Sequence, residues 1–182
     1  MNNLRNGVRL TPVPVPGLDL VIRHVGEGDH EAVHAMLTSP HVLAGSLRVP
    51  FAPLHQTRAR LTPERGVHQL AAEADGQVVG FGELVTYPDE PRQRHSGEIN
   101  LVATRADHVR RGVGRALMEA MIELAENWLN LSRLTLIVFT DNDHAIKLYQ
   151  SLGFAIEGTM PRVGYGAGAW MDAHVMGRLR DR

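Results

Sequence analysis

Apolar and polar residues alternate from Leu18 to His24, the period of a strand with one buried face. The pattern then predicts a helix from near Asp29, ended by Pro40. A weaker helical pattern covers Gln56 to Leu61. Val67 to Ala74 and Gln77 to Thr86 both have strand character, and the Asp75-Gly76 pair between them suits a tight hairpin turn. Tyr87 to Arg94 is a polar, proline-bearing loop, followed by a strand over Ser96 to Thr104. The long helical stretch runs from Arg111 to Leu129. Its apolar residues Val113, Leu117, Met121, Leu124 and Trp128 keep a three-to-four spacing, which predicts a stripe facing a sheet. Leu134 to Phe139 is continuously apolar and reads as a buried strand. A short helix follows, with Asp141 or Asn142 as its cap and Gly153 as its stop. Strands that alternate with helices, together with hairpins, predict a mixed α/β sheet.

Composition narrows the function classes. At 182 residues the chain supports one domain with an ample core. A formal net charge of -1 argues against a general polyanion binder, so no nucleic-acid partner is expected. The sequence contains no apolar run of bilayer length and no signal-peptide core, which predicts a cytoplasmic protein with no membrane partner. Thr11-Pro12-Val13-Pro14-Val15-Pro16-Gly17 reads as a stiff, proline-spaced lead-in, expected to be mobile. With no cysteine, disulfides, thiolate nucleophiles and cysteine metal sites are excluded. Asn130-Leu131-Ser132 matches a glycosylation acceptor, a chance match without an export signal.

The most informative stretch is Val109-Arg110-Arg111-Gly112-Val113-Gly114-Arg115, which opens the long helix directly behind a strand. Glycines let the backbone approach an anion, and the unpaired N–H groups of a first helical turn point at it. The helix dipole and the arginines add favourable charge, so the loop suits a pyrophosphate. Some thirty residues on comes Asn142-Asp143-His144-Ala145-Ile146-Lys147-Leu148-Tyr149-Gln150-Ser151-Leu152-Gly153-Phe154. Taken singly, Tyr149 would read as an amphipathic core residue.

Together the two motifs resemble the GNAT superfamily of acyl-CoA-dependent N-acyltransferases. The resemblance extends from about Leu18 to Leu179 and includes Val78-Val79-Gly80, Phe154 to Thr159, and Trp170 to Met176 in the place of the family's last strand. It implies the α/β GNAT fold over residues 18–182, a mixed central sheet flanked by helices, behind a lead-in of residues 1–17. Leu47-Arg48-Val49-Pro50 and Asn127-Trp128-Leu129 are similar to a bacterial branch that acetylates free L-amino acids.

The resemblance also implies a splayed strand pair, Ser96–Thr104 against Leu134–Phe139, that holds acetyl-CoA as co-substrate. Buried unpaired backbone groups need partners, and the amides of the pantetheine arm supply them. Val102, Ala103 and Thr104 are thereby assigned to pantetheine through their backbone atoms. Arg110, Arg111, Gly112, Val113, Gly114 and Arg115 are assigned to the pyrophosphate, with Arg110 and Arg111 as candidates for the ribose phosphate. Val109 departs from the Gln or Arg that the family usually carries three residues before Gly112. Arg110 and Arg111, each read alone, have a plain alternative as solvated surface charges.

The reaction implied is acyl transfer from a thioester to a primary amine of a small molecule, by direct attack. Tyr149 resembles the family's tyrosine that protonates the leaving thiolate, and a phenol with a pKa of about 10 is protonated at neutral pH. Asn142 orients that tyrosine or holds a CoA amide. The base is open between Glu98, Glu83, His95 and a water chain. A one-residue slip sends a strand side chain to the opposite face, so Ile99 and not Glu98 can occupy the inward register. For the acceptor, Arg48 or Arg162 would meet a carboxylate, and Phe51 and Trp170 an apolar side chain. Those aromatics have a plain alternative as packing residues. The glycine-rich stretch from Gly164 to Ala169 is expected to be flexible.

Other readings stay open at this stage. Polyamine, protein N-terminal or lysine acetylation is the alternative acceptor class, and a non-catalytic acyl-CoA sensor the alternative to an enzyme. The resemblance also admits a homodimer, by analogy alone. His30-Glu31-Ala32-Val33-His34 matches a zinc-protease pattern, but no third-ligand spacing accompanies it and no metal is expected.

Overall fold

The computed structural model describes residue 15 and residues 17–180. Seven strands form one sheet in the order β1-β2-β3-β4-β5-β7-β6. They are β1 (Leu20–His24), β2 (Val67–Ala74), β3 (Gln77–Thr86), β4 (Ser96–Thr104), β5 (Arg133–Phe139), β6 (Ala155–Gly166) and β7 (Ala169–Leu179). Every neighbouring pair is antiparallel except β4 and β5. The β2–β3 hairpin and β4 match the predicted boundaries, and Asp75 and Gly76 both take positive φ in the turn. Most of the predicted lead-in, residues 1–14 and Pro16, lies outside the described residues. Val15 does not: it packs against the core and bridges Leu18, so the folded unit begins before Leu18.

Two apolar layers cover the sheet. On one face α1 (His30–Leu37), α2 (Pro40–Ala44) and α3 (Leu54–Arg60) bury Val33, Leu37, Val42, Phe81 and Ala103. Pro40 therefore opens a helix as well as following one, because its fixed φ suits the first helical position. On the other face α4 (Val113–Glu123) lays Val113, Leu117 and Met121 over β3. Gly80 permits this approach, since a Cβ there would lie 2.6 Å from Val113 Cγ1. α5 (Asp143–Ser151) packs beside it.

Two expectations fail for identifiable reasons. The apolar stripe was to continue to Trp128, but that residue is 56% exposed. From Leu124 the helix widens into a π-turn, in which Leu129 N–H bonds to Leu124 O at 3.0 Å. The wider turn rotates the inward position onto Ala125 and Leu131. Gly164 to Ala169 is not a loose loop: Gly164–Gly166 end β6, Ala167 and Gly168 make the turn, and Ala169 starts β7.

Candidate active site

The one parallel pair is short. Ser96, Gly97 and Glu98 pair with Arg133, Leu134 and Thr135, and from Ile99 and Leu136 onward the two strands part. β5 stays bound to β7 along its whole length, and β4 stays bound to β3. The splay expected between these strands is therefore present. It opens a cleft of about 790 Å³, walled by β4 from Glu98 to Thr104 and by β5 from Leu136 to Phe139.

Backbone direction decides what faces this cleft. Arg105 N–H bonds to Val79 O on β3 at 2.9 Å. Thr104, one residue earlier in an extended strand, turns its N–H and C=O the other way, toward β5. Its carbonyl accepts from His41 Nε2 at 2.7 Å, a contact from α2 that no sequence motif signals. Val102, Ala103 and Thr104 all line the cleft.

At the far end of β4 the chain turns into α4. Gly112 is the N-cap with φ of +88°, and a Cβ there would sit 2.8 Å from Val15 Cγ1. Arg110 also has positive φ. Arg110 and Arg111 are exposed beside the helix N-terminus, whose first N–H groups lack intrahelical partners. Two other members of the proposed loop are placed differently. Val113 is buried, so only its backbone is available. Arg115 reaches along the helix to Ser151 Oγ at 2.6 Å and to Glu119 at 3.4 Å, tying α4 to α5. Gly114 opens onto Thr104 and Leu148. Val109, the departure from the family pattern, lines the cleft with an apolar side chain.

Across the cleft, α5 contributes Asn142, Ala145 and Tyr149. Asn142 caps the helix, its side-chain oxygen accepting from Ala145 N–H at 3.2 Å, which identifies the cap that the sequence left between two residues. The Tyr149 ring lies 6.2 Å from Phe154, and burial alone pushes its phenol up to about 12. The group stays protonated throughout the neutral range.

The face under α1–α3 is more polar. A bulge in the β3–β4 ladder shifts the register from Glu83↔Leu101 to Leu84↔Ile99 and leaves Asn100 unpaired. Ile99 turns into the α4 core, while Glu98 lines the cleft and accepts from Tyr87 OH at 3.1 Å. Glu83 is 3% exposed, does not line the cleft, and is spent on Arg60 at 2.5 Å, Asn100 at 2.6 Å and Gln69 at 2.9 Å. It stands behind the cleft wall, which its partners Arg60 and Asn100 form, so Glu98 is the candidate carboxylate that faces the cleft directly. His95 is exposed, with its backbone carbonyl bound to Ser132 and Arg133, and is likewise off the cleft.

Arg48 lines the cleft and makes no ion pair among the described residues. Arg60 and Gln56 of α3, which sequence reasoning missed, line it as well. Their signal, two polar residues on a short amphipathic helix, is that of any surface helix. Phe51 and Trp170 are corrected: they are 100% and 60% exposed, and neither lines the cleft. Trp170 packs edge-on to Tyr165 at 5.0 Å and sits under the Arg162 guanidinium at 5.8 Å, so Arg162 is also directed elsewhere. Leu47, Val49 and Ala52 supply the apolar surface instead. In the His-Glu-x-x-His segment, Glu31 pairs with Arg58, and His34 Nδ1 meets Thr57 Oγ1 at 2.9 Å. Among the described residues no group of three His, Cys, Asp or Glu gathers to hold a metal ion.

An unzipped backbone edge leading to a glycine-capped helix N-terminus fits the amides and pyrophosphate of acetyl-CoA, and the comparisons agree. The sequence profile of the Acetyltransferase (GNAT) family matches residues 31–154. The chain is 37% identical over 162 residues to the L-amino acid N-acetyltransferase AaaT of Escherichia coli, covering 89% of this chain and 99% of that protein. It is 28% identical over 163 residues to the phosphinothricin N-acetyltransferase of Alcaligenes faecalis, covering 86% and 81%. Among solved structures, yncA from Salmonella typhimurium with its cofactor acetyl-CoA superposes with a TM-score of 0.74 at 24% identity, covering 90% of this chain and 95% of that one. A ribosomal-protein-alanine N-acetyltransferase from Brucella melitensis gives 0.76 at 28% identity, covering 87% and 99%. The chain belongs to the GNAT family, and its chemistry is transfer of an acetyl group from acetyl-CoA to an amine.

Proposed function

We propose that the amine is the α-amine of a free L-amino acid. The observation that carries this is Arg48, a cation without an acidic partner among the described residues, in the same cleft as Glu98. A carboxylate-binding cation and a carboxylate that meets an ammonium are the charge complement of a zwitterion. AaaT and the phosphinothricin enzyme, both named for amino-acid-like acceptors, support the same class. A polyamine acceptor would call for carboxylates where Arg48 and Arg60 stand. The reading includes a cytoplasmic setting, and the homodimer remains an expectation by analogy.

In this reading the acceptor enters as an ammonium and must lose a proton before attack. Glu98, steadied by the Tyr87 hydroxyl, takes that proton directly or through water. The freed lone pair attacks the thioester carbonyl. Backbone N–H groups on the open β4 edge stabilise the oxyanion. As the C–S bond breaks, Tyr149 gives its proton to the thiolate, and the nitrogen, which still carries one proton more than the amide keeps, returns it to the tyrosinate, releasing CoA and the N-acetyl amino acid. Burial keeps the phenol protonated until that step. Asn142 holds the start of α5, and so the reach of Tyr149, in place.

The test is thiol release from acetyl-CoA across a panel of amino acids, polyamines and short peptides. The chain has no cysteine, so a thiol-reactive dye reads only CoA. Turnover with amino acids is expected. Turnover confined to polyamines or peptides would overturn the acceptor class. Silence across the panel, with acetyl-CoA still raising the Tm, would favour a domain that only binds acyl-CoA.

A further inference from the structure

The acceptor wall holds two guanidinium groups, and the protein alone satisfies neither. Arg48 Nε and Arg60 Nε are both buried without a hydrogen-bond partner. Burial pushes the Arg48 pKa down, and the neighbouring Arg60 charge pushes it further, opposed by Glu83. Arg60 is fastened: its Nη2 donates to Glu83 Oε1, and its carbonyl accepts from Gln69 Nε2 at 2.8 Å. Glu83 is fixed in turn by Gln69 and by Asn100, the residue extruded by the β4 bulge. One buried carboxylate thus stands against two adjacent cations, and both cations line the cleft.

Like charges held side by side repel, and buried N–H groups without acceptors destabilise. An anion in the cleft beside the pair offsets the repulsion. We propose that Arg48 and Arg60 together bind the acceptor's carboxylate, with Arg60 a specificity-determining residue and Glu83 a positioning residue that locks Arg60 toward the cleft. This inference rests on the amino-acid reading above and adds to it a second cation, a role for Glu83, and a requirement. The acceptor must carry a free carboxylate, because a neutral analogue leaves the arginine pair unanswered.

The experiment compares an L-amino acid that the wild type turns over with its α-amide, which keeps the amine and loses the charge. The wild type should prefer the acid by about a hundredfold or more in kcat/KM. Arg60→Gln should raise the amino-acid KM about tenfold, leave the acetyl-CoA KM unchanged and shrink the acid-over-amide preference to a few-fold. Glu83→Gln should also raise the acceptor KM, keep kcat within a few-fold, and leave the pH profile of kcat where it was. Arg60→Gln with an unchanged acceptor KM and preference would overturn the proposal. So would a Glu83→Gln protein whose kcat collapses and whose acidic limb disappears, since that is how a base behaves. If Glu83→Gln does not fold, Arg60→Gln decides alone, its side chain being 30% exposed. A wild type that acetylates no amino acid defeats the amino-acid reading and this inference with it. Amino-acid turnover that ignores Arg60→Gln defeats only the inference.

Discussion

The two ends of the cleft are made of different material. The end proposed to hold acetyl-CoA is mostly main chain: the unpaired edge of β4 and the start of α4, capped by Gly112 in the αL conformation. The end proposed for the acceptor is mostly charged side chain: Arg48, Arg60 and Glu98, braced by Glu83, Asn100 and Tyr87. A site made of backbone binds the part of the reaction that does not change, and it tolerates side-chain substitution. A site made of side chains sets which amine is accepted, and single substitutions rewrite it. Tyr149 stands where the two meet.

The largest effect is expected at that junction. Tyr149→Phe removes the proposed proton donor and should lower kcat by about 10²-fold or more, with acetyl-CoA affinity nearly intact by titration. Because burial holds the phenol at about 12, above its ordinary 10.0, the proton stays on through neutral and mildly alkaline pH. The wild-type kcat should therefore show no alkaline fall from Tyr149 below about pH 10. The same raised value favours the folded state fully below the unfolded pKa, an advantage lost as pH climbs through 12. An unchanged kcat in Tyr149→Phe would remove this residue from the mechanism.

Next comes a pair that separates the two ends. Arg48→Ala should raise the acceptor KM by roughly tenfold or more and leave the acetyl-CoA KM alone, as expected for an interaction lost from acceptor binding. Gly112→Leu should do the reverse. A side chain at φ of +88° costs roughly 1–2 kcal/mol, and its Cβ would also press on Val15. The acetyl-CoA KM should rise about tenfold while the acceptor KM is preserved. If both variants move both constants equally, the two ends are not independent and the comparison fails. Arg110→Ala and Arg111→Ala should be milder, each raising the acetyl-CoA KM only a few-fold, because an exposed cation contributes little beside the main-chain donors.

The same division explains what the sequence disclosed. Main-chain sites leave compositional marks, since glycines at a helix start and a hairpin Asp-Gly are demanded by backbone geometry. The glycine-capped start of α4, the β2–β3 hairpin and the Asn142-to-Gly153 helix were legible for that reason. The acceptor end was not. Glu83 and Glu98 read alike as strand carboxylates, and only the bulge at Asn100 and the reach of Arg60 decide which one faces the cleft. Phe51 and Trp170 looked like pocket aromatics because hydrophobicity carries no direction. The loop and hairpin that carry them turn both outward. The π-turn at Leu124 was invisible for a similar reason, since one extra residue in a turn leaves an apolar stripe looking continuous in sequence.

The smallest predicted effect tests the main-chain half most directly. Thr104 lies in the cleft wall, and its carbonyl points away from β3 toward the open side, where His41 holds it. Its side chain faces α4, with Oγ1 3.7 Å from where a Cβ on Gly114 would stand. Thr104→Ala deletes that side chain and keeps the N–H and C=O. If pantetheine is bound by the strand edge, the acetyl-CoA KM should change less than about twofold and kcat should not move, since no group that pairs with substrate has been removed. A large rise in the acetyl-CoA KM would mean that the hydroxyl itself grips the cofactor. The acetyl-CoA end would then be a side-chain site like its neighbour, and the tolerance expected of it would be gone.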